Sequence, residues 1–453
     1  MKNLPASLMN SLTDIEGFDK ESFEAVHLSG EQITSIRLNP GKAGISPIDA
    51  TRVPWCETGY YLKERPSFTF DPLFHAGCYY VLEASSMFLE QALRQTMDLS
   101  KPVKVLDLCA APGGKSTHIQ SLISKESLLV SNEVIRSRAN ILKDNIIKWG
   151  CQNVMVTHND PQDFTGLKNY FDVMVVDAPC SGSGLFRREP EAIQEWSLNN
   201  VQLCSRRQQR ILADAWPSLK ENAVLIYSTC SYSVEEDEQI MDWISREFAA
   251  VNIPLETDKE WGVVKTVTAM GNEGYRFWPD KVRGEGFFLT CFRKTNQEES
   301  TPIRVKQGME RLSKKEMMVL EPWLQKQNER FLFKNQDTVY AWPGNLANDF
   351  NFLLKQLRVL YSGTIIGAIV REKLIPDHSL AMSCSMVNEA IPSFELDREK
   401  AILYLQRKEF SIEGLKKGWA LVNFRGKALG WMNVLPNRIN NYYPKELRIL
   451  KDG

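Results

Sequence analysis

Between Val103 and Phe292, short apolar runs of strand length alternate with stretches of helix length. No other feature of the chain restricts its fold as much. Val103-Lys104-Val105-Leu106-Asp107-Leu108, Leu128–Asn132, Val154–Thr157, 172–177 and 223–227 read as strands. Helices are predicted from about Ser116, over Arg136–Trp149 and over 196–219. The run Asp172-Val173-Met174-Val175-Val176-Asp177 is apolar throughout its interior, so it should be buried on both faces. Strands alternating with helices predict an α/β fold with a parallel, doubly wound sheet. Gly286-Phe287-Phe288-Leu289-Thr290-Cys291-Phe292 closes the region.

The flanks have a different texture. Ser35-Ile36-Arg37-Leu38-Asn39-Pro40 reads as a short strand ending at a proline, and residues 88–93 continue a helix that begins near Glu83. Residues 295–301 are polar and acidic and read as a linker. A helical and mixed segment follows to about Ser393. Residues 418–450, rich in glycine and aromatics, read as short strands with tight turns. A chain of 453 residues has room for about three domains. Its formal net charge of -1 excludes a globally cationic nucleic-acid binder and leaves such binding to local basic patches. The nine cysteines are scattered, with no CxxC pair and no His/Cys cluster at zinc spacing. No metal and a reducing compartment are therefore expected. The first residues lack the apolar region of a signal peptide, and no apolar run reaches membrane-spanning length. The expectation is a soluble, cytoplasmic protein with no membrane partner.

Asp107-Leu108-Cys109-Ala110-Ala111-Pro112-Gly113-Gly114-Lys115-Ser116 leaves the first strand and opens a helix. Small residues there let the backbone approach a ligand, and a helix N-terminus favours polar or anionic groups. The last four residues resemble the end of a phosphate loop, but that motif needs a glycine where Cys109 stands. The spacing argues against an NTP-binding protein. Glu133 ends the second strand about 20 residues past the glycines, where a carboxylate can hold ribose hydroxyls. Asp160 follows the third strand, placed to meet an adenine amino group. A lone Gly-Gly turn more often merely packs a helix onto a sheet. Two acidic residues at successive strand ends favour a nucleoside cofactor.

The fourth strand ends in Asp177-Ala178-Pro179-Cys180 and the fifth in Ser228-Thr229-Cys230-Ser231. Ligands of doubly wound sheets bind outside the carboxyl ends of the strands, so both cysteines should face the cofactor crevice. A single free cysteine is usually a small buried hydrophobe. Two at neighbouring strand ends suit a specific chemistry. Carbon 5 of cytosine is a poor nucleophile until a thiolate adds to carbon 6 and makes an enamine. A carboxyl at N3, with Asp177 as candidate, would stabilise the developing charge. A second cysteine could assist loss of the C5 proton and release of the first. These arguments leave open which cysteine attacks.

In combination, the segments from Cys109 to Lys115, from Asp177 to Cys180 and from Ser228 to Ser231 resemble the signature motifs of the Nol/Nop/Sun RNA 5-methylcytosine methyltransferases. The resemblance implies a Rossmann-like class I methyltransferase fold with S-adenosyl-L-methionine as cofactor. It implies that Cys230 is the nucleophile and that Cys180 aids product release. It also implies cofactor binding by Cys109, Ala110, Ala111, Pro112, Gly113, Gly114, Lys115, Glu133, Asp160 and Asp177. Asp177 would touch both cofactor and base, and Lys115 would sit in the active site. Gly77 to Ser86 resembles the segment leading into the family's catalytic domain, with Leu82 where a glutamine is more usual. Gly284-Glu285-Gly286-Phe287-Phe288 resembles the last-strand motif, and Asp280 replaces a common histidine.

Arg187 and Arg188 follow the fourth-strand loop and are phosphate candidates. Arg206, Arg207 and Arg210 fit a solvated helix face equally well. Gly418-Trp419-Ala420-Leu421-Val422 and Lys427-Ala428-Leu429-Gly430-Trp431 resemble the small PUA-like RNA-binding domain that ends the bacterial 16S ribosomal RNA methyltransferase F group. Gly363 to Gly367 and Pro376 to Ala381 resemble the domain before it, while His378 alone suits ordinary packing. The expected division is an N-terminal α+β RNA-binding-like domain over 1–75, a methyltransferase domain over 76–297, a first C-terminal domain over 302–393 and a β-rich PUA-like domain over 398–453. The expected partner of this monomer is RNA, foremost 16S ribosomal RNA or the small ribosomal subunit. Transfer RNA is the alternative substrate. Intact Asp177, Cys180 and Cys230 argue against a non-catalytic assembly factor.

Overall fold

The computed structural model describes residues 4–47, 49–296, 309–325, 330–411 and 416–451. Most of the expected linker at 295–301 lies outside the described residues.

Five parallel strands form the centre: β1 (Lys104–Asp107), β2 (Leu128–Asn132), β3 (Val154–Thr157), β4 (Phe171–Asp177) and β5 (Leu219–Thr229). They pair in the order 3-2-1-4-5. The strand order therefore reverses between β1 and β4, which opens a crevice at their carboxyl ends. Helices α1 (Gly114–Leu122), α2 (Arg136–Trp149) and α3 (Leu198–Ala215) lie between these strands in the chain. The strands read as continuous apolar runs because both faces are covered. Val105, Leu129, Val173 and Ile226 enter one core, while Leu106, Val130, Met174 and Leu225 enter the other.

The helix predicted over 196–219 is shorter than expected. Ser197 caps its start, and it ends at Ala215, ahead of Pro217, which has no amide hydrogen to donate. The chain then enters β5 at Leu219, earlier than the expected 223. The helix expected from Glu83 begins as a 3-10 turn over Ser85–Phe88 and becomes α-helical at Leu89. The Glu83 carboxylate accepts from the amides of Ser85 and Ser86, both at 2.9 Å.

The sheet is not purely parallel. After α4 (Glu238–Glu247) come β6 (Ala250–Asn252), β7 (Val264–Val267), β8 (Glu273–Phe277) and β9 (Phe287–Lys294). β9 runs antiparallel to β5, and β8 and β6 pair antiparallel with β9. β7 completes that edge beside β8. At the other edge β10 (Val359–Ser362), from beyond the expected linker, pairs antiparallel with β3 and covers it.

The flanking parts make their own sheets. Ala50–Arg52, Gly59–Leu62, Thr34–Leu38 and Tyr79–Val81 form an antiparallel sheet near the N-terminus. A five-stranded sheet runs from Glu310–Arg311 to Lys373–Pro376. The last sheet begins at Ser393–Glu395, before the expected boundary at 398, and continues through Gly418–Phe424, Lys427–Leu435 and Arg438–Asn441. Ile36, Leu73 and Tyr79 from the N-terminal part share one apolar core with Leu405, Val422, Met432 and Tyr443. Ahead of the N-terminal sheet, Leu8, Leu12 and Phe23 of the helices Ala6–Leu12 and Lys20–Leu28 pack with Phe186, Tyr232 and Trp278 beneath the loops that follow β4 and β5. Among the described residues no helix is long and apolar enough to cross a membrane.

Candidate active site

The loop from β1 into α1 is held in place by neighbours that bond its backbone. The Ala110 amide donates to the Asn132 carbonyl at 2.8 Å. Arg138 Nη2 donates to the Ala111 carbonyl and Asn145 Nδ2 to the Pro112 carbonyl, both at 2.9 Å. The Ala111–Pro112 peptide is cis. Gly113, at φ +115°, caps α1 in a conformation that a side chain would strain. Leu82 fills the space beside the loop: a Cβ on Gly114 would lie 2.7 Å from its Cδ1. Burial pushes the Cys109 thiol up, so it stays protonated.

Glu133 is buried at the end of β2, with Oε1 accepting from the Ile135 amide at 2.9 Å and Oε2 3.5 Å from Arg138 Nη1. Val134 and Ile135 beside it are exposed apolar side chains. Asp160 Oδ1 accepts from the Gln162 amide at 3.1 Å, and its other oxygen lies 4.0 Å from Arg210. Sequence reasoning passed over Asp107, whose signal was an acid ending the first strand. It is fully buried, with Oδ2 accepting from Ser116 Oγ at 2.6 Å and Oδ1 without a partner among the described residues. Burial pushes its carboxyl up to about 7, against the opposing bond from Ser116. Together these groups fit an adenosyl amino acid. The unpartnered carboxyl oxygen suits an ammonium group, Glu133 suits ribose hydroxyls, and Val134 and Ile135 offer an apolar surface to a base.

At the other side of the crevice, Asp177 ends β4 opposite Ser228 of β5. Ser228 Oγ donates to Asp177 Oδ1 at 2.9 Å, and Lys115 Nζ pairs with Oδ2 at 2.7 Å. The Lys115 ammonium also lies 5.1 Å over the Phe287 ring. The Cys180 and Cys230 sulfurs are 3.1 Å apart. The contact with Cys230 and burial push the Cys180 thiol well up, so Cys180 keeps its proton and can offer it to the other sulfur. The two loops interlock. The Gly184 amide donates to the Cys230 carbonyl at 2.8 Å, and the Gly286 amide donates to the Gly184 carbonyl at 3.2 Å. The Tyr232 amide donates to Ser183 Oγ at 2.9 Å, and the Tyr232 ring stacks on Trp278 at 5.2 Å.

One expectation needs correction. Arg187 is not an open phosphate contact. Its side chain is buried, with Nη1 donating to the Gly284 carbonyl at 3.1 Å and Nη2 to the Glu31 carbonyl at 2.9 Å. These two bonds tie the β4 loop to its neighbours. Arg188 is exposed, and so are Arg206, Arg207 and Arg210 on α3. One group of metal-ligand types was not visible in the sequence spacing. Folding brings Cys56, Glu90 and His118 together from distant positions, which no spacing rule detects. His118 Nε2 lies 3.1 Å from Glu90 Oε2 and 3.7 Å from Cys56 Sγ. A metal-bound histidine ordinarily donates its other ring N–H. Here Nδ1 is buried without a partner among the described residues, and the two contacts of Nε2 link residue 56 and the helix Leu89–Thr96 to α1.

The chain also resembles known proteins along most of its length. Residues 94–293 match the family model described as 16S rRNA methyltransferase RsmB/F. Residues 4–84 match the N-terminal domain of 16S rRNA methyltransferase RsmF, and 391–449 match the methyltransferase RsmF PUA domain. The chain is 30% identical over 419 residues to the ribosomal RNA small subunit methyltransferase F of Aliivibrio salmonicida, covering 88% of this chain and 86% of that one. A methyltransferase homolog protein from Pyrococcus horikoshii superposes with TM-score 0.51 at 27% identity, over 64% of this chain and 100% of that one. The structure of NSun6 from Pyrococcus horikoshii with SFG shares the fold, with TM-score 0.54 at 18% identity over 65% and 99% of the two chains. With three family models matched in succession along one chain and a relative 30% identical over 88% of it, the protein belongs to the ribosomal RNA small subunit methyltransferase F family.

Proposed function

We propose that this protein methylates C5 of cytosine in small-subunit ribosomal RNA through a covalent bond between Cys230 and C6. The carrying observation is the pair of sulfurs 3.1 Å apart beside the Asp177–Lys115 ion pair. S-adenosylmethionine, when bound, supplies the electrophilic methyl group for C5. The loop from Cys109 to Lys115, Asp107, Glu133 and Asp160 would hold it, and the SFG-containing relative supports that choice because SFG is an analogue of it. Addition of the Cys230 thiolate to C6 pushes electron density toward C5 and N3. Asp177, oriented by Ser228 and Lys115, holds a proton at N3 as that charge develops. After methylation water takes the C5 proton, its electron pair re-forms the C5–C6 double bond, the Cys230–C6 bond breaks with the pair going to sulfur, and the N3 proton returns to Asp177. Cys180 is placed to protonate the departing sulfur. Arg188 and the exposed arginines of α3 are the proposed phosphate contacts. The four-part division expected from the sequence, and action as a monomer in the cytoplasm without metal, belong to the same proposal.

The test is methylation of purified small subunits and protein-free ribosomal RNA, with bisulfite mapping of the product. Cys230→Ala is expected to give neither product nor adduct. Cys180→Ala is expected to accumulate a denaturant-resistant protein–RNA band. Modification of transfer RNA alone would remove the ribosomal assignment and leave the chemistry. An adduct trapped by Cys230→Ala would exchange the two roles.

A further inference from the structure

The two cysteines sit on separate loops, from the ends of β4 and β5, and no covalent link fixes their spacing. We propose that Glu236, outside the reacting pair, is the positioning residue that sets it. The proposal deepens the reading of Cys180 and Cys230 given above and rests on it.

Glu236 is fully buried after the Cys230 loop. Its Oε1 accepts from the Ser181 amide at 2.8 Å and from Gln208 Nε2 at 3.0 Å. Its Oε2 accepts from Ser181 Oγ at 2.5 Å and from Ser231 Oγ at 2.6 Å. Each oxygen thus takes two bonds, which fills a carboxylate's capacity. Ser181 directly follows Cys180, and Ser231 directly follows Cys230. A single carboxylate therefore binds the next residue of both cysteines. Gln208 of α3 also donates to the Pro179 carbonyl at 3.1 Å, so the residue before Cys180 is tied to the same hub. Tyr227 fixes the hub from below, its hydroxyl donating to the Glu236 carbonyl at 2.7 Å. The neighbouring Asp237 does something different. It accepts from Thr229 Oγ1 at 2.6 Å and pairs with Arg276 at 3.2 Å, and so braces the Cys230 loop alone. Glu236 spans both loops.

The role is one of spacing, and charge and spacing can be separated by substitution. A glutamine at 236 keeps an oxygen toward the Ser181 amide and Gln208, and its amide group can donate to the two serine hydroxyls, which accept as readily as they donate. Alanine removes every bond. Two readouts are used: the rate at which diamide, which takes up the two thiol hydrogens, links Cys180 to Cys230, followed by peptide mass mapping, and kcat and KM for RNA methylation. Glu236→Ala is expected to slow the link at least about tenfold and to lower kcat about a hundredfold, with KM changed less than about threefold, as expected for a misplaced reacting group. Glu236→Gln is expected to restore both to within about fivefold of wild type.

The proposal is overturned if Glu236→Ala leaves the linking rate within about twofold of wild type, or if glutamine fails together with alanine. Should Glu236→Ala not fold, as judged by its melting curve, the double variant Ser181→Ala/Ser231→Ala keeps the carboxylate and removes two bonds. It must slow the link, and an unchanged rate sinks the proposal. A wild-type protein that links its cysteines but does not methylate RNA would remove the proposed function, while the linking rates would still decide the spacing.

Discussion

The carboxyl of Asp107 has one oxygen bonded to Ser116 and the other buried and bare. Its ordinary titration near 4 is moved up to about 7 in the folded protein. Between those values the folded chain holds a proton that the unfolded chain releases. Stability therefore falls as pH rises from about 4 to about 7 and is flat above that range. Asp107→Asn removes this dependence. Melting measured at pH 5 and pH 8 without cofactor is expected to show the variant gaining on wild type by on the order of 2 kcal/mol across the interval. A constant difference between the two proteins would place the titration elsewhere. Glu133 lends itself to a binding test. Glu133→Ala is expected to weaken S-adenosylmethionine about tenfold or more by calorimetry, the scale of a lost charged hydrogen bond, with melting little changed. Unchanged affinity would move the ribose contact to another residue. Asp177, Cys180, Cys230 and Glu133 could be picked out in the sequence because each ends or closely follows a strand of recognisable pattern. Arg187 could not be judged, because whether an arginine meets water or two carbonyls depends on loops from residues 31 and 284. Glu236 was silent for the same reason, since its four donors come from three elements.

At the level of elements, Gly184 is a point where the loops of β4, β5 and β9 meet. A Cβ there would stand 2.5 Å from the Gly286 carbonyl oxygen and 2.8 Å from that of Cys230. Backbone cannot swing aside as a side chain can, so Gly184→Ala must move the Cys230 loop. The expected cost is about 1–3 kcal/mol in stability, with a fall in turnover larger than the fall in cofactor affinity. A variant with wild-type turnover would show that the loops have slack. The β1 to β5 pattern was readable because strands covered on both faces are apolar at every position. Strand ends were read less well: β5 begins four residues before its apolar core, at the buried Leu219, and the pattern fades through Lys220, Glu221 and Asn222, whose side chains are partly or fully exposed. The antiparallel β6 and β7 escaped notice because they are short and part-exposed, and β8 because Glu273, Gly274 and Arg276 interrupt its apolar residues although it is largely buried; only β9 carried a continuous apolar signal.

For the whole molecule, the pairing of β10 with β3 means that the central sheet is finished by chain from beyond the linker. Trp342, Phe350 and Leu353 lie in the same core as Leu106 and Met174. A protein ending at Asn296 would lose these partners and leave the β3 edge open. It is expected to self-associate on size-exclusion chromatography and to bind a hydrophobic dye. A monodisperse fragment with the full-length melting temperature would contradict this account. Such pairings could not be read from the sequence, since local periodicity reports which face is apolar and not what will cover it. The core shared by Ile36, Leu73 and Tyr79 with Leu405, Val422 and Tyr443 has a consequence in time. The N-terminal sheet leaves the ribosome long before its covering residues are made. At 5–20 residues per second the delay is roughly twenty seconds to a minute. Through that interval the nascent chain carries an uncovered apolar face, and a holding chaperone has its natural point of action there.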